Sequence, residues 1–265
     1  MRIVHISDLH FGMNRLEIAD AFLQDLSSVK PELIIISGDL TQRAKDEQFL
    51  ALQIFLKQLP AEVLVVPGNH DIPLCNVYSR FISPFKAYRH YVGNQFKDKF
   101  SNDDIAILGI NSVNPYKIKD GKLSKKNLKA INYYFKTEDK SANILFFHHN
   151  FDQLKDMHKP LENEKQFLSY LKDSKVNIVC TGHLHFAHVG LIQKNNKKPC
   201  LVLHAGSLLC TRSRDGLNSY FVIDIDDHNC SVNWRVFSEQ QFIVRTNYSI
   251  KLSALDAKLR YLTFI

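Results

Sequence analysis

Two observations in the sequence predict an α/β fold built around a parallel β-sheet. Short apolar runs rich in β-branched residues alternate with stretches whose apolar residues recur every three or four positions, and this alternation is typical of βαβ units. The apolar runs are continuous, as in strands that helices cover on both faces. The predicted strands lie at 2–6, 33–37 and 62–66, and the helices between them at about 15–30 and 43–59.

The remainder of the chain is predicted to mix strands and helices and then to become antiparallel. Helices are predicted at 76–92, 124–136 and 161–173, two strands around a polar turn at 94–100 and 104–111, and buried strands at 143–147 and 176–180. Antiparallel strands follow near 187–193, 199–204, 219–225 and 230–237. We assign 1–238 to one domain and 239–265 to an extension packed on it, with a strand at 242–245 and a helix at 252–261.

The composition is that of a folded chain without disulfides. Of the 265 residues 45% are apolar, which is enough for a full-sized core. The five cysteines are odd in number and include no Cys-x-x-Cys pair, so we expect free thiols in a reducing compartment. Neither a signal peptide nor an apolar run near the ~20 residues of a membrane span is evident, and the expected location is cytoplasmic. The net charge of +7 weakly favours an anionic partner.

A pair of histidines follows one of the buried strands. The run Thr181-Gly182-His183-Leu184-His185 comes directly after the strand at 176–180. Residues two apart in an extended chain project to the same side, and neutral imidazole is the commonest metal ligand among side chains. His183 and His185 are therefore candidate ligands of one metal centre, although a lone His-x-His is more often a solvated loop.

Polar side chains of the metal-binding kind follow the other buried strands as well. They are Asp8 and His10 after the first strand, Asp39 after the second, Asn69, His70 and Asp71 after the third, and His148 and His149 after the strand at 143–147. The carboxyl ends of parallel strands lie along one edge of a sheet, so these groups are expected to converge there. Such a set without cysteine favours Mn, Fe or Zn. Its size suits two ions with a carboxylate between them.

In this order, Asp-x-His, Gly-Asp, Gly-Asn-His-Asp, His-His and Gly-His-x-His resemble the motifs of the calcineurin-like metallophosphoesterase superfamily. The resemblance covers residues 1 to about 225. Within the superfamily, Ile6-Ser-Asp-Leu-His-Phe-Gly12 and Ser37-Gly-Asp-Leu-Thr-Gln-Arg43 are most similar to the bacterial cyclic-nucleotide phosphodiesterase branch. The chain departs from the pattern at Asn150, where relatives often have proline, and we expect His149 to lie beside the ligands rather than among them.

The resemblance implies a four-layer α/β/β/α sandwich with two mixed sheets and a dimetal site at the strand carboxyl ends. It implies that residues 1–238 are a metallophosphoesterase domain. It also implies one role for each motif residue: Asp8, His10 and His185 hold the first metal, Asn69, His148 and His183 hold the second, Asp39 bridges the two, and His70 stays off the metals near the scissile phosphate.

The mechanism expected from this site is hydrolysis of a phosphodiester. A hydroxide held between the two cations would attack phosphorus in line, and His70 would protonate the departing alkoxide as general acid. Asp71 is expected to orient His70, on adjacency alone. Arg43, Arg212 and Arg214 are candidates for binding the substrate because guanidinium pairs well with phosphate; a solvated turn is the alternative for the last two.

Several functions fit these motifs. The preferred substrate is a small diester such as a 3′,5′-cyclic nucleotide. The alternatives are a nucleotide-linked lipid or dinucleotide, and a nucleic acid, which is not favoured because no basic stripe with stacking aromatics is evident. A non-catalytic binding module is the least favoured reading, since every ligand position is filled.

The remaining histidines and one aromatic segment are predicted to have structural roles. His5, His90, His158, His188 and His228 are expected to be ordinary structural or surface residues, and His204 is undecided but leans structural. The aromatic and basic segment from Tyr78 to Tyr91 is expected to be a surface helix packed on the core, the alternative being a cap that stacks a base.

Overall fold

The computed structural model describes residues 1–74, 76–138, 140–154, 157–227 and 229–253, together with the backbone of 263–264. The chain opens with three strands, β1 (Arg2–Ile6), β2 (Leu33–Ile36) and β3 (Glu62–Val65), which are parallel to one another. The connections are α1 (Leu16–Val29) and α2 (Asp46–Leu56), so the predicted βαβαβ order is present. Continuous burial of β2 on both faces explains its unbroken apolar run.

A helical segment and a second parallel group follow. A 3₁₀ turn (Asn69–Asp71) leads to α3 (Val77–Ile82), α4 (Lys86–Tyr88) and a π-helical turn (Arg89–Gly93). Then come β4 (Lys99–Ser101), β5 (Ile105–Gly109), α5 (Lys125–Thr137), β6 (Ala142–Phe146), α6 (Glu164–Asp173) and β7 (Ile178–Thr181). The C-terminal strands are β8 (His188–Gln193), β9 (Pro199–His204), β10 (Ser219–Asp226), β11 (Asn229–Ser238), β12 (Gln241–Lys251) and β13 (Thr263–Phe264).

These strands form two mixed sheets. The first has the order β12-β11-β10-β1-β2-β3, in which β10 to β12 are antiparallel, and the second has the order β13-β8-β9-β7-β6-β5-β4. One apolar cluster fills the space between the sheets, where residues such as Ile35, Phe146 and Phe221 are fully buried. Two further clusters lie on the outer faces, one under α1 and α2 and the other under α5 and α6. The four-layer α/β/β/α sandwich is therefore confirmed.

The segment around residue 90 departs from the predicted boundaries. The predicted strand at 94–100 begins only at Lys99, because the helical backbone continues to Gly93 and turns until Phe96. Tyr88 and Val92, which are four residues apart, are both buried against the core of the first sheet. The burial of Tyr88 and Val92, four residues apart on one helical face, thus decides the local structure over the β propensity of the neighbouring residues. This part of the Tyr78–Tyr91 segment packs on the core as expected.

The tail contains a longer strand than the sequence predicts. β12 pairs with β11 along its whole length, and Phe242 is buried beside Phe22 and Tyr220. This pairing supports the proposal that 239–265 is an extension of the 1–238 domain. Of the predicted helix at 252–261, residues 254–261 lie outside the described residues. Among the helices described, the longest has 14 residues, and none has the length and hydropathy to cross a bilayer.

Candidate active site

The predicted site residues meet at the carboxyl ends of the parallel strands. The loops after β1, β2, β3, β6 and β7 converge there, and they bring together Asp8, His10, Asp39, Asn69, His148, His183 and His185. All of these side chains are buried except that of His185, which is 17% exposed. The structure therefore brings all seven residues together in one crevice, at the strand ends where the sequence predicts them.

The donor atoms fall into two groups that share one residue. Asp8, His10, Asp39 and His185 form the first group, and Asp39, His148 and His183 form the second; within each, the ligand atoms lie within 4.8 Å of one another. In the first group Nε2 of His10 is 3.0 Å from Nε2 of His185. In the second, Nε2 of His148 is 3.3 Å from Oδ2 of Asp39. Asp39 is thus the residue placed between two possible cation positions.

The backbone at these ligands is held in a conformation that side chains disfavour. Asp8, His10, Asp39, His183 and His185 all have positive φ, between 48° and 71°. A non-glycine residue in the left-handed region stores of order 1 kcal/mol or more, and such residues concentrate at functional sites. The surrounding loops overcome this strain by hydrogen bonds such as Asp8 N to Gly38 O at 3.1 Å and His10 N to Asp39 O at 3.0 Å.

Two imidazoles are held with one nitrogen turned toward the cluster. Nδ1 of His148 lies 2.8 Å from the carbonyl oxygen of Ser37, and Nδ1 of His185 lies 2.6 Å from that of Arg212. A carbonyl only accepts, so in both rings Nδ1 carries the proton. Nε2 of each ring is then directed at the carboxylates, and it can bind a metal once it loses its own proton, as in an imidazole whose other nitrogen is fixed by a backbone oxygen.

Unpaired buried polar atoms point to the same chemistry. Oδ1 of Asn69 and Nε2 of His183 are buried and have no hydrogen-bond partner among the described residues. Leaving such atoms unsatisfied costs about 1–3 kcal/mol each, and both are atoms that bind cations. The donor set of carboxylate, amide and imidazole therefore fits two borderline metal ions.

The carboxylates and imidazoles shift each other's pKa values. Burial opposes ionisation of Asp8, but His185 and His10 outweigh it and hold its pKa well below the usual range. Burial likewise opposes the charged form of His148, whereas Asp39 raises its pKa to about 9. The pKa of His185 is raised to about 11 because Asp8 outweighs the burial. The buried carboxylates therefore stabilise positive charge beside them, as a cation-binding site requires.

His70 is positioned by a group other than the one expected. Its Nδ1 lies 2.9 Å from the carbonyl oxygen of Gln42, and its backbone N donates to Oδ1 of Asp39 at 2.9 Å. The expectation that Asp71 orients the His70 ring is wrong. The Asp71 carboxylate instead accepts from N of Leu40, Thr41 and Gly68 at 2.8–3.1 Å. Asp71 therefore fastens the loop after β2 to the loop after β3.

A pocket of about 500 Å³ opens beside the donor groups. All three predicted substrate arginines, Arg43, Arg212 and Arg214, line it together with His70. The loop that bears the last two is tied to the site, because N of Arg214 donates to the carbonyl oxygen of His185 at 2.9 Å. This hydrogen bond favours the interpretation that Arg212 and Arg214 lie on an ordered substrate-binding loop rather than on a solvated turn.

Three pocket residues were not assigned to the site from the sequence, and one of them, His158, was expected to be an ordinary structural or surface residue. His158 lies 2.8 Å from Nη2 of Arg214, and burial, followed by Arg214 and Lys119, lowers its pKa to about 4. Lys119 also lines the pocket. Cys210 is buried within 4.8 Å of the His10 and His185 donor atoms. None of the three stands in a recognisable motif, so only the folded loops reveal them.

His149, which was expected beside the ligands, and His204, which was left undecided, are both buried outside the donor groups. Nδ1 of His149 lies 2.8 Å from Oγ of Ser112, and its ring centroid is 4.7 Å from that of His183. His149 thus packs against a candidate ligand. His204 lies 2.8 Å from Oδ1 of Asp152 and also contacts Oγ1 of Thr181, so it links the loop after β6 to the end of β7.

Gly182 allows the closest approach between the loops after β1 and β7. A Cβ there would lie 1.8 Å from Oγ of Ser7 and 2.5 Å from Oδ2 of Asp8. We expect Gly182→Ala to displace Asp8, to weaken metal binding at least about tenfold and to destabilise the fold by about 1–3 kcal/mol. Metal titration and thermal unfolding would measure both effects. Gly216→Ala is the control for metal affinity alone, since nothing lies within 4 Å of a Cβ there, while its φ of 73° adds backbone strain of about 1 kcal/mol to the unfolding measurement. Equal metal affinity in the two variants would contradict the prediction.

A fold of this kind with two donor groups that share an aspartate is suited to hydrolysis of phosphate esters with two metal ions. A family model described as calcineurin-like phosphoesterase matches residues 1–187. The chain belongs to this family, whose members are dimetal-dependent, and it is a hydrolytic phosphoesterase.

Known proteins resemble the chain over most of its length. A probable cyclic nucleotide phosphodiesterase of Pseudoalteromonas sp. (strain SM9913) is 30% identical over 201 residues, which are 70% of this chain and 71% of that protein. A probable glycerophosphodiester phosphodiesterase of Arcobacter nitrofigilis is 25% identical over 70% of this chain and 72% of its own. A crystal structure of a dimetal phosphatase from Danio rerio shares the fold, with a TM-score of 0.65, 12% identity and coverage of 95% and 99%.

Proposed function

We propose that the protein is a dimetal-dependent phosphodiesterase. The observation that supports this most directly is the position of Asp39, which belongs to both donor groups. Asp8, His10 and His185 would hold the first metal, Asn69, His148 and His183 the second, and Asp39 both. Mn, Fe and Zn are the ions that this donor set favours.

The bound cations would supply a water of lowered pKa and neutralise charge on the phosphoryl oxygens. The chain's own residues would do the rest. His70, held at Nδ1 by the carbonyl of Gln42, would give a proton to the departing oxygen. Arg43 and Arg212 line the pocket and would pair with the remaining phosphoryl oxygens.

A small diester is the substrate that this pocket supports best. Its volume of about 500 Å³ lies in the range of small-molecule sites. The relatives that resemble the chain are named for cyclic nucleotides and for glycerophosphodiesters, and both compounds are phosphodiesters. A 3′,5′-cyclic nucleotide is our first candidate. A nuclease is less favoured, since a pocket of this size admits a mononucleotide more readily than a chain.

Hydrolysis of a panel of phosphate esters tests this function. Protein stripped with a chelator and reloaded with Mn would be compared on bis(p-nitrophenyl) phosphate, p-nitrophenyl phosphate, cyclic AMP, glycerophosphocholine and single-stranded DNA. We expect metal-dependent turnover with diester preferred to monoester by at least about tenfold. A preference for the monoester, or equal rates in the stripped protein, would refute the proposal.

A further inference from the structure

An apolar surface lies beside the active-site pocket. Five large side chains of α3 and the 115–118 loop are exposed: Tyr78 (76%), Phe81 (47%), Ile82 (65%), Tyr116 (76%) and Ile118 (61%). Single exposed apolar residues are common, but a contiguous group marks an interaction site. Phe81 and Tyr116 stack with their ring centroids 5.5 Å apart, so the two segments form one surface. We call these five residues the apolar shelf.

Three residues of the shelf lie on α3, a helix that buries its charged residue and exposes its apolar ones. Tyr78, Phe81 and Ile82 are spaced i, i+3 and i+4, so they share one face of α3. The opposite face buries Arg80, which is only 5% exposed. Its guanidinium donates to the carbonyl oxygens of Pro73, Pro115 and Lys117 at 2.5–2.9 Å. Because the helix buries its arginine, its aromatic and aliphatic residues stay in solvent.

The shelf is continuous with the pocket. Ile118 belongs to both, and Leu74 and Ile72 extend the apolar wall toward His70. Cationic side chains line the same pocket, namely Arg43, Lys119 and Arg212. A ligand that satisfies the whole surface therefore needs an anionic group at the pocket and an apolar part that leaves it over Ile118.

We propose that the substrate is a phosphodiester that bears a long alkyl chain, and that the chain lies on the apolar shelf. The inference rests on the proposed phosphodiesterase activity and ranks an alkyl-bearing diester above the cyclic nucleotide as its substrate, because only the former covers the shelf. A cyclic nucleotide would occupy the pocket and leave the shelf uncovered. An amphiphilic diester matches both the cationic pocket and the apolar surface that leads from it. In the reaction, water adds its oxygen to phosphorus, the bond from phosphorus to the leaving oxygen breaks, and the leaving group takes up a proton.

The test is a series of p-nitrophenyl alkyl phosphates with methyl, butyl and octyl groups, used below their micelle concentrations. The products are the alkyl phosphate and p-nitrophenol, so release of the latter reports each reaction. Burying even part of the added chain favours binding, and we expect kcat/KM to rise at least about tenfold from methyl to octyl. In the triple variant Tyr78→Ser/Phe81→Ser/Tyr116→Ser the octyl-to-methyl ratio should fall to within about twofold of one.

Controls separate the shelf from general hydrophobicity. The variant Leu50→Ser/Ile54→Ser/Tyr133→Ser also removes three exposed apolar side chains, but from α2 and α5, and it should keep the wild-type ratio. Tyr78→Ser alone should lower the octyl-to-methyl ratio in part. This single variant keeps the test valid if the triple variant fails to fold.

Hydrolysis of bis(p-nitrophenyl) phosphate, measured in parallel, distinguishes the two proposals. If that diester is hydrolysed but the rate is independent of alkyl length, the shelf proposal is overturned while the phosphodiesterase stands. Loss of length dependence in both triple variants also overturns it. A dimer that the shelf substitutions dissociate, with the octyl-to-methyl ratio unchanged, would identify the shelf as a contact between copies and refute the alkyl site.

Discussion

Asp39→Ala should remove bound metal and hydrolytic activity together. Oδ2 of Asp39 lies 3.3 Å from Nε2 of His148 and 3.6 Å from Nε2 of His10, so the carboxylate stands between the two donor groups. Without it each group loses an anionic ligand, and the buried imidazoles lose the charge that favours a cation beside them. We expect the rate on bis(p-nitrophenyl) phosphate to fall by at least about 10³-fold, the scale of losing one charge-stabilising group.

Metal analysis of the purified variant and steady-state rates with added Mn would measure the two effects. Asp39→Asn is the informative companion, because it keeps the acceptor for N of His70 while removing the negative charge. Asp20→Ala, on the exposed side of α1, controls for loss of an aspartate elsewhere. Full activity of Asp39→Ala on any phosphodiester would exclude the proposed dimetal site.

His70→Ala should separate chemistry from metal binding. The side chain lines the pocket and is held by Gln42, outside both donor groups. An alkoxide is a poor leaving group that needs a proton, whereas p-nitrophenolate departs unaided. We therefore expect a fall of about 10²–10⁴-fold in kcat for a cyclic or dialkyl diester. The fall for bis(p-nitrophenyl) phosphate should stay below about tenfold.

The comparison needs the metal content of each sample. Equal metal in wild type and His70→Ala shows that the loss is chemical, and the exposed His90→Ala serves as the matched control. Equal loss on both classes of leaving group would remove His70 from the general-acid role. Loss of metal in His70→Ala would instead make it part of the metal site.

The site could be predicted because parallel sheets obey a simple geometric rule. Asp8, Asp39 and His183 are far apart in sequence, yet each follows a buried strand, and the carboxyl ends of those strands share an edge. The apolar runs set the strands and the glycines set the tight loops, so the convergence of the ligands required no knowledge of side-chain packing. The ends of the strands were predicted less accurately. The strand predicted at 242–245 extends to Lys251, because pairing with β11, rather than local propensity, decides its length.

The amino-acid sequence alone thus determined the order of strands and helices, the four layers through the resemblance, and the residues at the crevice, since these depend on local patterns. Which side chains contact one another at the site was decided by the tertiary structure alone. Gln42 rather than Asp71 holds His70, Cys210 lies next to His10, and Arg80 turns α3 so that its aromatic residues face solvent. These contacts join segments from 7 to 200 residues apart. They follow from how loops pack against one another, which no periodicity in a single segment records.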